Sequence, residues 1–285
     1  MKKERHPKGQ RRQALKEQVK AKPGLTAVYI ILRALVIVAI VAQSFKGNFE
    51  NVFLCVLTLF LFTLPSFLER TIRIEIPDTL EVIILLFIFA AEILGEIQAY
   101  YIQYPYWDTM LHTLNGFLCA AIGFSLLDII NRNEKLKFSL SPVYLAVVAF
   151  CFSMTIGVLW EFFEFSMDQL FLLDMQKDTV VHSIGSVMLD PAGGNHPISI
   201  KHITDVIVVT ADGAQQSLGL GGYLDIGIID TMKDLFVNFI GAVVFSTIGF
   251  IYVKNRGKGK FAPQFIPTVV DDAETPSDQN DPAQE

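Results

Sequence analysis

The sequence predicts an all-α polytopic membrane protein of six transmembrane helices, with a small extracytoplasmic loop that contains a β-hairpin. Hydrophobic residues make up 52% of the 285 positions and charged residues only 18%. Six apolar stretches lie between Thr26 and Lys254, each of roughly twenty residues or more and so able to cross a hydrocarbon core of about 30 Å. The strongly polar segments are confined to the two ends and one long connection. A soluble enzyme is excluded by this distribution.

The first span, 26 to 45, has full length and no small-residue cleavage pattern, which marks a retained helix and not a signal peptide. Its Arg33 lies about two turns inside and can snorkel to the headgroups. The second span, 49 to 67, follows Lys46. The third, 78 to 101, starts behind Pro77, where Asp78 and Glu81 have capping-box spacing. Tyr100, Tyr101, Tyr104, Tyr106 and Trp107 form an interfacial belt between it and the fourth span, 107 to 130. The fifth covers 142 to 167 and the sixth 229 to 253. The segment from 169 to 222 is the one long loop, and its alternating run Ile203 to Thr210 before Ala211-Asp212-Gly213 predicts the hairpin. Three histidines there, His182, His196 and His202, lack metal-ligand spacing and neighbouring Cys, so polar surface roles are expected. Cys55, Cys119 and Cys151 sit singly in apolar stretches and give no disulfide framework. No internal repeat is visible, against a carrier built from inverted halves.

Charge sets the orientation. Taking alternate connections, one side collects eighteen Lys and Arg, including nine in residues 1 to 22, and the other side four. The bias places both termini in the cytoplasm, and with them a basic arm, 1 to 25, and a tail, 254 to 285, basic then acidic and too polar to fold alone. A bacterial inner membrane fits these features, with the bilayer as partner and no nucleic-acid partner, because the only basic stretch is juxtamembrane.

Carboxylates inside spans are the informative residues, since each costs about 2.5 to 3.5 kcal/mol at mid-bilayer unless paired, metal-bound or facing water. The chain has Glu92 and Glu96 in span three, Asp108 with His112 in span four, Glu161, Glu164 and Asp168 in span five, and Asp230, Asp234 and Asn238 in span six. All fall in the outer half under this topology. Four-residue spacing keeps Asp108, His112 and Gly116 on one stripe and Asp230, Asp234 and Asn238 on another. Small residues Gly116, Ala120, Gly241 and Ala242 are expected to let helices approach. So many carboxylates cannot stay ionised together without a cation. The expected metal ligands are therefore Asp108, His112, Glu161, Glu164, Asp230 and Asp234. Their hard, oxygen-rich chemistry favours Mg²⁺, Mn²⁺ or Ca²⁺, with Zn²⁺ or Fe as alternatives. Five His in the whole chain exclude a histidine-box desaturase.

Three blocks carry a resemblance: Trp107-Asp108-Thr109-Met110-Leu111-His112, then Trp160-Glu161-Phe162-Phe163-Glu164-Phe165, then Gly222-Tyr223-Leu224-Asp225 leading to Asp230, Asp234 and Asn238. In these the chain resembles the YjdF-like family of bacterial inner-membrane proteins, a family of unknown function. The resemblance implies a polytopic membrane protein and no substrate, and the 169 to 222 loop is longer than the family's pattern. Signatures of CDP-alcohol phosphotransferases, acid-phosphatase-like lipid phosphatases and nucleotide loops are missing. The reading is thus an outward-facing metal site, catalysing hydrolysis or transfer on a lipid-linked or envelope substrate. A proton- or cation-coupled transporter and a non-catalytic assembly or sensor subunit are the alternatives. The stretches Ile122 to Leu127, Val143 to Phe150 and Val243 to Ile251 in the inner halves of spans four to six offer Ser and Thr and no charged group, which disfavours a path through the membrane.

Overall fold

In lipid every backbone polar group must be satisfied within its own segment, so apolar spans of this length fold as helices. The computed structural model describes residues 20–72, 74–132, 140–255 and 257–269; most of the basic arm and the acidic end of the tail lie outside the described residues. The helices are α1 (Pro23–Phe45), α2 (Phe49–Leu61), α3 (Leu64–Ile72), α4 (Asp78–Phe89), α5 (Tyr100–Gln103), α6 (Trp107–Arg132), α7 (Pro142–Phe171) and α8 (Ile228–Lys254). Five stretches among the described residues are long and apolar enough to cross a membrane: Pro23–Phe45, Phe49–Thr71, Trp107–Asp128, Pro142–Phe171 and Ile228–Lys254. The protein is a polytopic, mainly helical membrane protein.

The third expected span differs. Residues 78 to 97 form α4, 12 residues long, which runs directly into an eight-residue π-helix, Ala90–Ile97. The segment ends at Ala99, whose φ of 57° is left-handed. Periodicity at 3.6 residues per turn cannot reveal a π segment, because each of its turns takes up an extra residue. Nor does the expected capping box form. Pro77 occupies the N-cap position in extended backbone (ψ 138°), which makes Asp78 the first helical residue, one place too late to cap. Asp78 pairs with Lys22 at 2.7 Å instead, and Glu81 accepts the Tyr29 hydroxyl at 2.6 Å.

Two apolar cores hold the bundle. α1, α2 and α4 with the π-helix bury Val36, Cys55, Phe62 and Leu85. The central unit of α6, α7 and α8 buries Ala121, Phe124, Leu145 and Phe245. Ile30, Val38, Phe60 and Leu159 point outward, as lipid-facing positions should. Arg33 lies over the Tyr29 ring at 4.8 Å, one turn further along α1.

Part of the tail, residues 257–269, lies against the bundle. After α8 a 3₁₀ turn, Ala262–Gln264, brings Phe265 and Ile266 under the bundle, where both are buried. The Phe265 ring stands 5.1 Å from Phe117 and 6.3 Å from Phe245. Two short strands, β1 (Ile74–Glu75) and β8 (Thr268–Val269), then pair antiparallel. A few apolar residues in a polar stretch suffice, because the core they join already exists.

At the opposite end the loop between α7 and α8 is built from paired short strands. β2 (Val180–Val181) pairs with β7 (Tyr223–Leu224), β3 (Ser183–Ser186) with β4 (Ile198–Lys201), and β5 (Ile207–Val209) with β6 (Gln215–Ser217). The last pair is the hairpin expected around Asp212. Its turn closes through Asp212, which accepts the Ala214 amide at 3.3 Å. His182, His196 and His202 are exposed on this loop.

Candidate functional site

The crossing of α6 and α8 sets the site. A β-carbon on Gly116 would stand 2.1 Å from the Asn238 carbonyl oxygen, and one on Gly241 would stand 2.0 Å from the Thr113 carbonyl oxygen. Backbone therefore meets backbone, and the polar stripes of the two helices face each other along the seam. Deepest, Asn115 donates to the Asn238 side-chain oxygen at 3.2 Å, and Asn238 donates to the Met154 sulfur at 3.6 Å. Ser153 of α7 donates to the Gly116 carbonyl at 2.7 Å, which pins the third helix to the same seam.

One turn outward lie Asp108, His112 and Asp234. Each offers one ligand atom, and these atoms all lie within 4.8 Å of one another. His112 Nε2 is 3.4 Å from Asp108 Oδ1, and His112 Nδ1 is 3.9 Å from Glu161 Oε1. Asp234 is 1% exposed and Glu161 4% exposed. Asp234 Oδ1 and Glu161 Oε2 are buried and without a hydrogen-bond partner among the described residues. Buried carboxylate oxygens in that state are costly unless a cation or an ordered water meets them.

The remaining expected ligands stand around this trio. Glu164 is buried and accepts the Trp160 indole N–H at 2.8 Å. Asp230 lies at the mouth, where its Oδ2 accepts the Lys177 amide at 2.9 Å and its Oδ1 is 3.7 Å from Lys233 Nζ. Asp168 shares the helical arc of Glu161 and Glu164 and serves elsewhere: its carboxylate clasps the loop root by accepting the Met175 and Gln176 amides at 2.7 and 2.9 Å. Asp225 clasps the other side, accepting the Thr179 amide at 2.6 Å and the Ile229 amide at 2.7 Å, the latter satisfying a free N–H at the start of α8. Gln176 completes the link by donating to the Thr231 hydroxyl at 2.5 Å. Burial pushes Asp178 up from the ordinary carboxylate range, helped by neighbouring Asp174 and Asp225, so negative charge is crowded at the mouth as well.

A cavity of about 430 Å³ opens outward from these residues, with Asp108, His112, Glu164 and Asp230 in its wall and Lys177 and Lys233 at its rim. Glu96 of the π-helix lines it too. Tyr101 lies in the same wall although its place in an aromatic run reads as interfacial. Gly95 explains the inward turn, since a β-carbon there would stand 2.3 Å from the Tyr101 ring. Tyr100, by contrast, stacks edge-on to Tyr104 and Trp107 in the belt, at 4.7 and 4.9 Å. Lys177 and Gln176 carry no signal in the sequence, because their roles depend on the loop root folding back onto α8.

The family model for predicted membrane proteins designated DUF2238 matches residues 26–255. The chain belongs to this family. The match covers every element of the site, and it agrees with the YjdF-like resemblance in the three blocks. An uncharacterized protein of Thermotoga maritima is 24% identical over 162 residues, covering 56% of this chain and 74% of that protein. No solved structure matches.

Proposed function

We propose that the protein is a metal-dependent enzyme of the bacterial inner membrane, a hydrolase or transferase that acts from the extracytoplasmic side on a lipid-linked or envelope substrate. The observation that carries this reading is Asp234 Oδ1, buried without a partner among the described residues and grouped with Asp108 and His112 ligand atoms inside 4.8 Å. Asp108, His112 and Asp234 would hold the ion. One oxygen-rich face with a single His suits Mn²⁺, Mg²⁺ or Ca²⁺. Bound there, a divalent ion supplies Lewis acidity and a readily ionised water.

Glu161 and Glu164 stand on α7 across from that face, and Glu161 Oε2, without a hydrogen-bond partner among the described residues, is the group suited to take a proton from water. Asp230 accepts the Lys177 backbone amide and lies beside Lys233 Nζ, while Lys177 Nζ lies 3.7 Å from Asp174, and these two lysines offer positive charge to an anionic substrate at the mouth. Both termini are assigned to the cytoplasm by the charge bias.

Closure of the inner end favours this reading over a cation-coupled carrier. Phe265 and Ile266 pack beneath Phe117 and Phe245 and cover that end of the bundle with hydrocarbon. The test is elemental analysis of the purified protein before and after chelation and reconstitution. Near-stoichiometric Mn, Mg or Ca that Asp234→Asn and His112→Ala both abolish is the expected result. Protein free of metal after growth and reconstitution in each of these ions would make the cluster a structural tie between helices.

A further inference from the structure

A second cavity, of about 390 Å³, adjoins the first. Its wall comes from α2, α4, the π-helix, α5, α6 and α7 and is mostly hydrocarbon, with Leu61, Phe87, Ile88, Ala91, Ile156 and Leu159, while Glu92 and Asn115 add two polar groups to it. Three side chains belong to both cavities, Tyr101, His112 and Trp160. Each has an apolar body and a polar tip, and such residues sit where a wet region meets a dry one. Trp160 is fixed there by its indole bond to Glu164 at 2.8 Å, and Tyr101 by the gap at Gly95.

Protein interiors pack with few voids larger than a water molecule, and an apolar void does not hold water. A space of this size lined mainly by aliphatic and aromatic side chains suits a hydrocarbon occupant. Its position along the helices says which kind. The polar cavity faces the loop end, and the apolar one lies deeper, around residues 87 to 91 of the third segment and Ile156 of α7. Head outward and tail inward is how a lipid of the outer leaflet is oriented. The wall also reaches the lipid-facing surface, since Leu159 is 55% exposed and Trp160 45% exposed.

We propose that the two cavities form one bipartite site for a phosphorylated long-chain amphiphile of the outer leaflet, its chain in the apolar cavity and its phosphate among Asp108, His112, Lys177 and Lys233. The phosphate half rests on the metal site proposed above, because carboxylates bind a phosphate through a shared divalent ion. The chain half rests only on the cavity. Tyr101, His112 and Trp160 form the collar between them, so the bond next to the phosphate lies at the carboxylates.

The chain has two tryptophans, Trp107 and Trp160, so Trp107→Phe leaves the collar residue as the sole reporter. In phosphatidylcholine nanodiscs, a long-chain alkyl phosphate brominated along its chain should quench Trp160 saturably. Ala91→Phe, which fills the apolar cavity, should weaken that binding about tenfold, the worth of roughly two displaced methylenes. Unlabelled alkanols in the intact protein should compete more strongly with length and then level off as the cavity fills. Quenching that only tracks the mole fraction of probe, or that Ala91→Phe leaves unchanged while alkanols gain without limit, identifies an annular lipid and overturns the proposal. Mn²⁺ with and without chelator separates the two readings. Saturable quenching by both alkyl phosphate and alkanol that ignores Mn²⁺ supports the chain site and overturns the metal site. Mn²⁺-dependent binding of inorganic phosphate without saturable quenching overturns the chain site alone.

Discussion

Replacing Asp234 by Asn should make the ion-free protein more stable, although it alters a buried polar group at the centre of the site. Asp108 and Asp234 ligand atoms lie within 4.8 Å of each other, and two carboxylates at that distance repel by about 3.5 kcal/mol at an effective dielectric of about 20. The one imidazole offsets this only in part. Its two nitrogens face Asp108 at 3.4 Å and Glu161 at 3.9 Å, which leaves Asp234 Oδ1 without a partner among the described residues. Asn keeps the shape, removes the charge and supplies an N–H₂ that can donate to Asp108. In detergent and chelator, the variant's thermal midpoint should exceed that of the wild type by about 5 °C or more, at roughly 2 to 4 °C per kcal/mol. Adding Mn²⁺ should raise the wild type and leave the variant where it is, so that the order reverses. Midpoints read from the loss of the monodisperse chromatographic peak on heating suffice for the comparison. A variant less heat-resistant than the wild type in chelator, beside a wild type indifferent to Mn²⁺, would refute the reasoning and identify Asp108 and Asp234 as a pair sharing a proton.

Gly116→Ala should cost about 1 to 3 kcal/mol in heat stability and lower metal content, because the new methyl meets the Asn238 carbonyl and forces α6 from α8; an unchanged metal content would break the link between seam and site. Asp168→Ala should expose the loop root to protease, having removed two bonds to a charged acceptor of about 1.5 to 3 kcal/mol each, while leaving the seam's stability in chelator unchanged. In a Cys-free background, Ser217→Cys should react with impermeant maleimide in intact cells and Lys258→Cys only after lysis; the opposite pattern would put the site on the cytoplasmic face. Lys22 has its pKa raised above the ordinary 10.5 by the hydrogen bond it donates to Asp78. Its contribution is therefore complete below about pH 10.5 and lost as pH rises through the folded-state value. Lys22→Met should remove that alkaline loss, an effect under about 1 kcal/mol for a partly exposed pair, read from thermal midpoints above pH 10.

Span positions are legible because twenty apolar residues have few other uses, and the four-residue spacing of Asp108 and His112, and of Asp230 and Asp234, writes two polar stripes into the chain itself. Convergence of α6 with α8 follows from Gly116 and Gly241, where a side chain would meet backbone. Other features depend on contacts that one-dimensional spacing does not contain. Asp168 lies on the arc of Glu161 and Glu164, yet α7 ends there and the turning chain takes its carboxylate for two amides. Tyr101 leaves the aromatic belt because the π-helix and the left-handed Ala99 rotate it inward over Gly95. Phe265 and Ile266 are masked by the polar composition around them, and only the waiting core of Phe117 and Phe245 gives them a place.

The short β2–β7 pairing has a consequence for how much of the loop can change. The bonds that tie the loop to the helices, from Asp168, Asp225, Asp230 and Thr231, are made on the membrane side of that pairing. Among the described residues, none between 178 and 229 lines either cavity. The strands beyond Val181 are therefore an appendage on a two-stranded stem, free to lengthen, shorten or be exchanged for a foreign domain without moving a ligand atom. Members of the family can keep the seam between α6 and α8 and vary the segment beyond the stem, with the stem as the splice point.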